Sequence, residues 1–214
     1  MALAIPDSVV KRLPNKGREG GTYLHHILSN WDDLATHTLF LQDEVHNSRY
    51  LQRRLHDFFS HDLTGYLPLG FSGKFCELND CIDDWGWRDV YHQIPALYTM
   101  RYGVFAPPGK MTLSYKGQFV VSAKRARGAG KKMLNHLLKV LEDENSPFSR
   151  KEPTTPDQEG CVGNAPTFGF VLERVWGMIF GCADGRMAVE CPSLSRARKE
   201  GEGLDTCQCL DPIF

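Results

Sequence analysis

The sequence predicts a single layered α/β domain in which a mixed, mostly parallel sheet is flanked by helices. Two observations lead to this fold class. Segments with helical spacing alternate with short apolar runs, and the strongest amphipathic helix follows the clearest strand. The chain has 214 residues, of which 42% are hydrophobic, so one domain with a core of normal size is expected.

The N-terminal part of the chain contains an unusual loop. Residues 1–14 are expected to form a lead-in segment, and apolar spacing predicts a helix over residues 22–31. Residues 15–21, between them, hold three glycines and two cations. Free N–H groups and the positive end of the helix dipole meet at a helix N-terminus, so this loop could bind an anion. An ordinary turn with a surface ion pair at Arg18 accounts for the same residues.

The next elements are predicted from short patterns. Residues 38–41 form a continuous apolar run, which is typical of a strand buried on both faces. A helix capped by Ser48 is predicted to run to about residue 59. Residues 63–84 are rich in Gly, Pro and Asp, so a long structured loop is expected there. The aromatic segment that follows favours a helix over residues 87–97.

The second half of the chain has clearer patterns. Residues 117–122 give the clearest strand, because they are β-branched and apolar. An amphipathic helix follows Gly130, and residues 145–165 are expected to form a mobile loop. A last helix is predicted over residues 166–181, and residues 183–214 are expected to form a weakly structured tail.

These strands are few for a chain of this length, so further strands are expected within residues 63–116. The predicted sheet is of a glycosyltransferase-A-like or Rossmann-like type. Open sheets of this type bind ligands beyond the carboxyl ends of their strands. Gln42, Asp43, Glu44 and His46 follow the first predicted strand, and a ligand site is therefore expected there.

Charge and cysteine content limit the class of protein. The formal net charge is −1, so any contact with nucleic acid must come from a local basic patch. The seven cysteines are odd in number and irregularly spaced, which favours free thiols in a reducing compartment. Neither a signal peptide nor a long apolar span is evident. We therefore expect a cytoplasmic protein that does not bind membranes.

Two motifs could carry catalysis. Glu173 and Arg174 lie in an otherwise apolar helix, where a desolvated glutamate can act as a general base. An ion pair that fixes helix packing is the structural alternative. Ser122 ends a predicted strand and could be a nucleophile only with a base in reach; a helix cap is favoured. His25 and His26 are adjacent and would point about 100° apart on a helix, so no metal site is predicted.

A basic run follows the clearest strand and could contact phosphates. A solvated helix face would have the same composition. The run consists of Lys124, Arg125, Arg127, Lys131 and Lys132.

Four sequence blocks together resemble a known family. They read NKGRE with YLHHI, TLFLQ, QFVVS, and LERVW with IFG, and they span residues 15–181. In this order they are similar to a largely fungal family, formerly of unknown function, that resembles arginine-containing cyclodipeptide synthases. Family members carry a longer portion before the first block, with an extra strand.

The resemblance implies a reaction that joins arginyl-tRNA and a second aminoacyl-tRNA into a cyclic dipeptide. The esters are already activated, so no ATP and no cofactor are expected. Glu173 is then the candidate base, and Arg18 with the backbone amides of Gly20 and Gly21 would hold a tRNA phosphate or an oxyanion. Ser122 could form an aminoacyl-enzyme, or one ester could be attacked directly by the other amine.

Further side chains would bind the substrates. A carboxylate fork for the arginine side chain could come from Glu19, Asp43 or Glu44. The basic run would receive the tRNA acceptor stem. The other substrate-binding candidates are Tyr23, His26, Gln42, Gln118, Arg174 and Trp176.

Two other functions fit the sequence. A glycosyltransferase-like enzyme using a nucleotide sugar would suit a layered fold with an anion-binding loop. The DxD metal motif of such enzymes is absent, and Asp80 with Asp83 or Asp84 is the nearest approximation. A non-catalytic binding protein would be favoured if Glu173 and Arg174 formed only a structural pair.

Overall fold

The computed structural model describes residues 9–14, 16–143, 145–146, 167–193 and 195–212. Their strands form two sheets in which every pairing is antiparallel. The main sheet has the order β1-β5-β2-β6, and the second sheet pairs β3 with β4. The strands are β1 (His37–Phe40), β2 (Thr64–Pro68), β3 (Lys74–Glu77), β4 (Lys110–Leu113), β5 (Phe119–Ser122) and β6 (Cys209–Leu210).

The prediction of a mostly parallel sheet was therefore wrong, and with it the Rossmann-like or glycosyltransferase-A-like type. Every residue of the central strands β2 and β5 is buried. The apolar run of β5 indicates burial on both faces, which antiparallel strands covered on both sides also show. The run 38–41 was misread in a second way: β1 is an edge strand, and Leu39 in it is exposed.

Seven α-helices are present in the described ranges. They are α1 (Arg18–Ser29), α2 (Ser48–Phe58), α3 (Gln93–Tyr102), α4 (Ala123–Gly128), α5 (Lys131–Glu142), α6 (Thr167–Ile179) and α7 (Arg186–Glu190). The predicted helices at α2, α5 and α6 are confirmed, because their apolar spacing is strong. Ser48 is the first residue of α2 and not its cap, a position that Asn47 occupies.

Helix α1 begins four residues earlier than predicted, at Arg18. Gly17 and Arg18 both have positive φ, 73° and 54°, and the Gly21 N–H donates to Gly17 O at 3.1 Å to close the first turn. Gly20 and Gly21 of the expected loop are thus part of the helix, and Gly17 is its N-cap. Both Gly20 and Gly21 are buried.

Helix α3 begins six residues later than predicted. The Asp89 carboxylate accepts hydrogen bonds from the N–H groups of Gln93 and Ile94, at 3.0 and 2.7 Å, and so caps the helix start. Pro95 lies in the first turn, where its missing N–H costs little. Burial raises the pKa of Asp89, and its two backbone hydrogen bonds oppose that rise.

Residues 63–84 are not the expected loop, since they contain β2 and β3. The expectation of further strands within residues 63–116 is confirmed by β2, β3 and β4. Gly65 and Pro68 weaken the strand pattern of β2, so local propensity does not reveal it. Most of the loop expected over residues 145–165 lies outside the described residues.

The C-terminal segment, expected to be weakly structured, contains α7, a 3₁₀ turn (Leu204–Cys207) and β6, which pairs with β2. The Arg125 guanidinium clamps it to the sheet by donating to Leu210 O at 2.7 Å and to Asp211 Oδ1 at 2.9 Å. The same group donates to the carbonyl oxygens of Phe180 and Gly181. Long-range contacts of this kind leave no local sequence pattern.

The expectation of free thiols was wrong. Three disulfides join Cys76–Cys81, Cys182–Cys209 and Cys191–Cys207. All six cysteines of the described ranges are paired, and Cys161 lies outside them. Because disulfides persist in oxidising compartments, these cysteines do not indicate a reducing compartment. None of the helices in the described ranges combines the length and apolar character that a membrane-crossing helix requires.

Two adjacent glycines of α1 should respond oppositely to alanine. A Cβ on Gly21 would lie 2.6 Å from Lys16 O, so Gly21→Ala should destabilise the fold by about 1–3 kcal/mol. A Cβ on Gly20 would lie 3.5 Å from Trp176, in ordinary contact. Gly20→Ala should therefore be neutral or stabilise by up to about 1 kcal/mol, as helix propensity predicts. Urea unfolding measures both, and equal effects would contradict this account.

Candidate functional site

The main cleft lies where the start of α1, the β1–α2 loop, the β4–β5 turn and α6 meet. Two cavities of about 500 and 570 Å³ form it, and they share Arg18 and Gln42. The larger one also contains Glu19, Tyr23 and Asp43. Further residues line the smaller one: His46, Asn47, Gly70, Phe71, Trp85, Tyr115, Lys116, Gln118, Phe170, Glu173 and Arg174.

The β4–β5 turn lies between two carboxylates. Lys116 and Gly117 both have positive φ, 67° and 56°, and the Lys116 N–H donates to Glu173 Oε1 at 2.8 Å. A Cβ on Gly117 would lie 3.3 Å from Glu19 Oε1 and 3.6 Å from the Tyr23 ring. The turn therefore passes between Glu173 of α6 and Glu19 of α1, and Gly117 provides the space.

Tyr23 places a buried hydroxyl beside these carboxylates. The residue is 4% exposed, and its hydroxyl has no hydrogen-bond partner among the described residues. Burial, then the negative charges of Glu19 and Glu173, raise the pKa of Tyr23 far above its ordinary value. The hydroxyl therefore keeps its proton at neutral pH and is a buried donor, unpaired among the described residues, behind the wall of the cleft.

Arg18 supplies a cation at the junction of the two cavities. Its guanidinium lies 4.7 Å from the centroid of the Phe170 ring, and its Nε lies 3.6 Å from Glu19 Oε2. At 29% exposure the side chain can still reach a ligand. One of the backbone amides expected to bind an anion beside Arg18 is already occupied. The Gly21 N–H is bonded inside the first turn of α1. The Gly21 amide is thus not available to an anion, and Arg18 is the cation of the expected loop that lines the cleft.

Arg174 pairs with a residue that sequence reasoning did not assign to it. Its Nε and Nη2 donate to Asp83 Oδ2 at 3.1 and 2.9 Å, and its guanidinium stacks 4.2 Å over Trp87. The Asp83 side chain is fully buried and also accepts from Tyr115 Oη at 3.2 Å. The structural ion pair considered for this helix thus exists, but it joins Arg174 to Asp83 and leaves Glu173 outside it.

An aromatic wall flanks the ion pair and was also missed. The rings of Trp85 and Tyr115 lie 4.7 Å apart, and those of Phe71 and Trp85 lie 5.7 Å apart. Trp85 is 62% exposed, so its face can stack on a planar group or a sugar. A local sequence signal for this wall exists in the Asp83–Trp87 segment. Asp83 Oδ1 accepts from the N–H groups of Trp85 and Trp87, which is an Asx-type turn.

Gln118 lies beside the loop that follows β1, but it binds that loop and not a substrate. Gln118 is 2% exposed, and its amide bonds both the N–H and the carbonyl of His46. It therefore positions the β1–α2 loop. Gln42 lines both cavities and Asp43 the larger one, whereas Glu44 is exposed and lines neither.

Three other candidates lie apart from the cleft. Trp176 is 1% exposed and stacks on Phe180 in the core. His26 lines a separate groove near the N-terminal segment, where partial burial and then Lys11 lower its pKa. Ser122 Oγ accepts from the Arg125 N–H at 3.1 Å, which is the helix-cap alternative. These placements leave Glu173 and Arg18 as the catalytic candidates in the cleft.

The basic run is not one phosphate-binding surface. The Arg125 side chain is only 16% exposed and points into the C-terminal clamp. Arg127 donates to Trp31 O at 2.9 Å, and Lys131 lies 5.6 Å from the Trp31 ring centroid. Lys124 and Lys132 are exposed. None of these five residues lines the cleft.

Within the described residues, no cluster of His, Cys, Asp and Glu side chains could hold a metal ion. Comparisons with protein-family models, characterised proteins and solved structures found no match to this chain.

Removing the Asp83 charge should destabilise the folded protein. Asp83→Asn leaves the buried Arg174 cation uncompensated, so the free energy of unfolding should fall by about 3–5 kcal/mol. Asp84→Asn is the control, because the Asp84 side chain is 66% exposed and its ion pair with Lys74 should contribute less than about 1 kcal/mol. Urea unfolding compares the two variants. Equal losses would show that the pair does not organise the cleft.

Proposed function

We propose that the cleft is the active site of a group-transfer enzyme in which Glu173 is the general base and Arg18 holds an anionic group of the substrate. The observation that supports this most is the buried Tyr23 hydroxyl, unpaired among the described residues, beside two carboxylates and one cation. Glu173 Oε1 is occupied by the Lys116 N–H, which orients the carboxylate and leaves Oε2 to take a proton.

The chemistry follows from these positions. Glu173 removes a proton from the attacking amine or hydroxyl, a step that contributes about 10²–10⁴-fold to a rate. The Tyr23 hydroxyl, buried in the free protein, donates to the oxygen on which negative charge develops once the bound substrate gains access to it. Arg18 binds a phosphate or carboxylate, and the exposed face of Trp85 stacks on the transferred group or its carrier.

For the substrate, our first proposal is synthesis of an arginine-containing cyclic dipeptide from arginyl-tRNA and a second aminoacyl-tRNA. Glu173 would deprotonate one α-amine, which attacks the other ester carbonyl, and the tRNA 3′ hydroxyl leaves. A second aminolysis closes the ring and releases the second tRNA. Glu19 and Asp43, both in the larger cavity, would hold the guanidinium of the arginine. This proposal requires a cytoplasmic protein.

The three disulfides favour a second candidate, transfer of a sugar from a nucleotide sugar in an oxidising compartment. Arg18 would then hold the diphosphate, and Trp85 would stack on the sugar or the base. Glu173 would deprotonate the acceptor hydroxyl. A binding protein without catalysis is the outcome if neither substrate class reacts.

One experiment separates these functions. The purified chain is incubated with arginine, a second amino acid, tRNA, synthetases and ATP, and a cyclic dipeptide is sought by mass spectrometry. Product that disappears with RNase supports the first proposal. Its absence with every second amino acid, together with turnover of a nucleotide sugar, supports the second candidate. Binding of either substrate without turnover supports the binding protein.

Glu173→Gln should abolish turnover and preserve the fold. The amide still offers an oxygen to the Lys116 N–H but cannot accept a proton as a base, so kcat should fall by about 10²–10⁴-fold. Substrate affinity should change little. Glu44→Gln is the matched control, because Glu44 is exposed and lies outside both cavities. Retained activity in Glu173→Gln would remove Glu173 from the catalytic role.

If tRNA is the substrate, exposed members of the basic run should contribute to binding. Replacing Lys131 and Lys132 by alanine should reduce the slope of log affinity against log salt by about 2, since two phosphate contacts are lost. Arg125→Met should instead lower stability, because it removes the C-terminal clamp. An unchanged salt slope in the double variant would exclude this surface as the tRNA site.

A further inference from the structure

A guanidinium without a carboxylate partner is buried against one disulfide. Arg54 of α2 is 1% exposed, and within the described residues it forms no ion pair. Its Nη2 lies 2.6 Å from Cys191 Sγ and 3.9 Å from Cys207 Sγ. Its Nε is buried and has no hydrogen-bond partner among the residues that the structure describes. A cation in such a place is costly unless an anion forms beside it.

The other contacts of Arg54 are neutral. It donates to the carbonyl oxygens of Ser193 and Pro68, at 3.0 and 3.3 Å, and to Ser72 Oγ at 3.5 Å. Burial, and then the nearby Arg196, lower the pKa of Arg54 to about 10. The guanidinium is therefore still charged at neutral pH, and none of its partners neutralises it.

A second guanidinium approaches the other sulfur. Arg196 Nη1 lies 3.8 Å from Cys207 Sγ, and the side chain is paired with Glu202. The remaining bridges, Cys76–Cys81 and Cys182–Cys209, have no arginine or lysine nitrogen hydrogen-bonded to sulfur among the described residues. The cationic environment thus distinguishes Cys191–Cys207 from the other two.

We propose that Cys191–Cys207 is a redox-labile disulfide, whose reduced form is stabilised because the Cys191 thiolate pairs with Arg54. A neutral disulfide cannot compensate the guanidinium, but a thiolate can. Stabilising the reduced form makes a disulfide more oxidising, so this bond opens before the other two.

The reaction requires a dithiol reductant and is balanced. The S–S bond between Cys191 and Cys207 breaks, and the dithiol is oxidised to its own disulfide. Cys207 takes up one proton of the dithiol, and the other is released to solvent as Cys191 remains a thiolate. Both sulfurs are fully buried, so local opening limits the rate, and the equilibrium is the quantity to measure.

This disulfide is connected to the cleft through Arg54. Pro68 and Ser72, which accept hydrogen bonds from Arg54, lie on either side of Gly70 and Phe71 in the wall of the cleft. The inference does not depend on which substrate the cleft takes.

The test is equilibration of the full chain in buffers of reduced and oxidised dithiothreitol, followed by acid quench, alkylation and mass mapping of the free cysteines. In the wild-type chain, the equilibrium constant for reducing Cys191–Cys207 should exceed that of Cys182–Cys209 at least tenfold, which equals about 30 mV. The ratio of the two bridges in one molecule corrects for changes in global stability. A ratio of one or less in the wild-type chain overturns the proposal without any variant.

Variants then identify the cause. Arg54→Met removes the charge at similar length and should lower the ratio at least tenfold, whereas Arg54→Lys should keep most of it. Arg53→Met is the matched control, since Arg53 precedes Arg54 on the same helix, is 53% exposed and pairs with Asp57. An unchanged ratio in a folded Arg54→Met chain also overturns the proposal. If that variant does not fold, the wild-type ratio together with the ratio in Arg54→Lys decides.

Discussion

The buried ion pair between Asp83 and Arg174 is the interaction on which the cleft depends. Asp83 lies in the loop after β3, Arg174 lies in α6, and Tyr115 of the β4–β5 connection donates to the same carboxylate. Three separate segments therefore meet at one group that is fully buried. A buried charge with all its hydrogen bonds satisfied permits few alternative arrangements. The pair fixes α6 against the aromatic wall and thereby sets the position of Glu173, one residue earlier.

The cleft combines opposite charges around one turn. Glu173 is oriented by the Lys116 N–H, and Glu19 lies against Gly117. The Tyr23 hydroxyl has no hydrogen-bond partner in the part of the chain that the structure describes. Arg18 adds a cation at the same junction. Arg18 pairs with Glu19, whereas among the described residues the Tyr23 hydroxyl has no hydrogen-bond partner and the Glu173 carboxylate is held by a backbone N–H. That incomplete pairing is what directs the proposal towards catalysis.

Helices with strong apolar spacing could be predicted from sequence, and the direction of the strands could not. The faces of α2, α5 and α6 follow the spacing of their leucines, phenylalanines and valines, because helix burial depends on residues three and four apart. Continuous burial in β2 and β5 is equally compatible with parallel and antiparallel pairing. The glycines before Tyr23 were misread because Gly20 and Gly21 serve close packing within α1.

The sequence by itself determined which residue types could act: Glu173, Arg18, Tyr23 and Glu19 were candidates from local patterns and from a family resemblance. Only the tertiary structure decided which of them meet. It places Ser122, His26 and Trp176 outside the cleft. It also binds the Arg125 side chain to the C-terminal segment and pairs six cysteines in disulfides. The physical reason is that Arg174 and Asp83 are 91 positions apart. Ion pairs, disulfides and strand pairings over such separations depend on how the whole chain packs, and no local window contains that information.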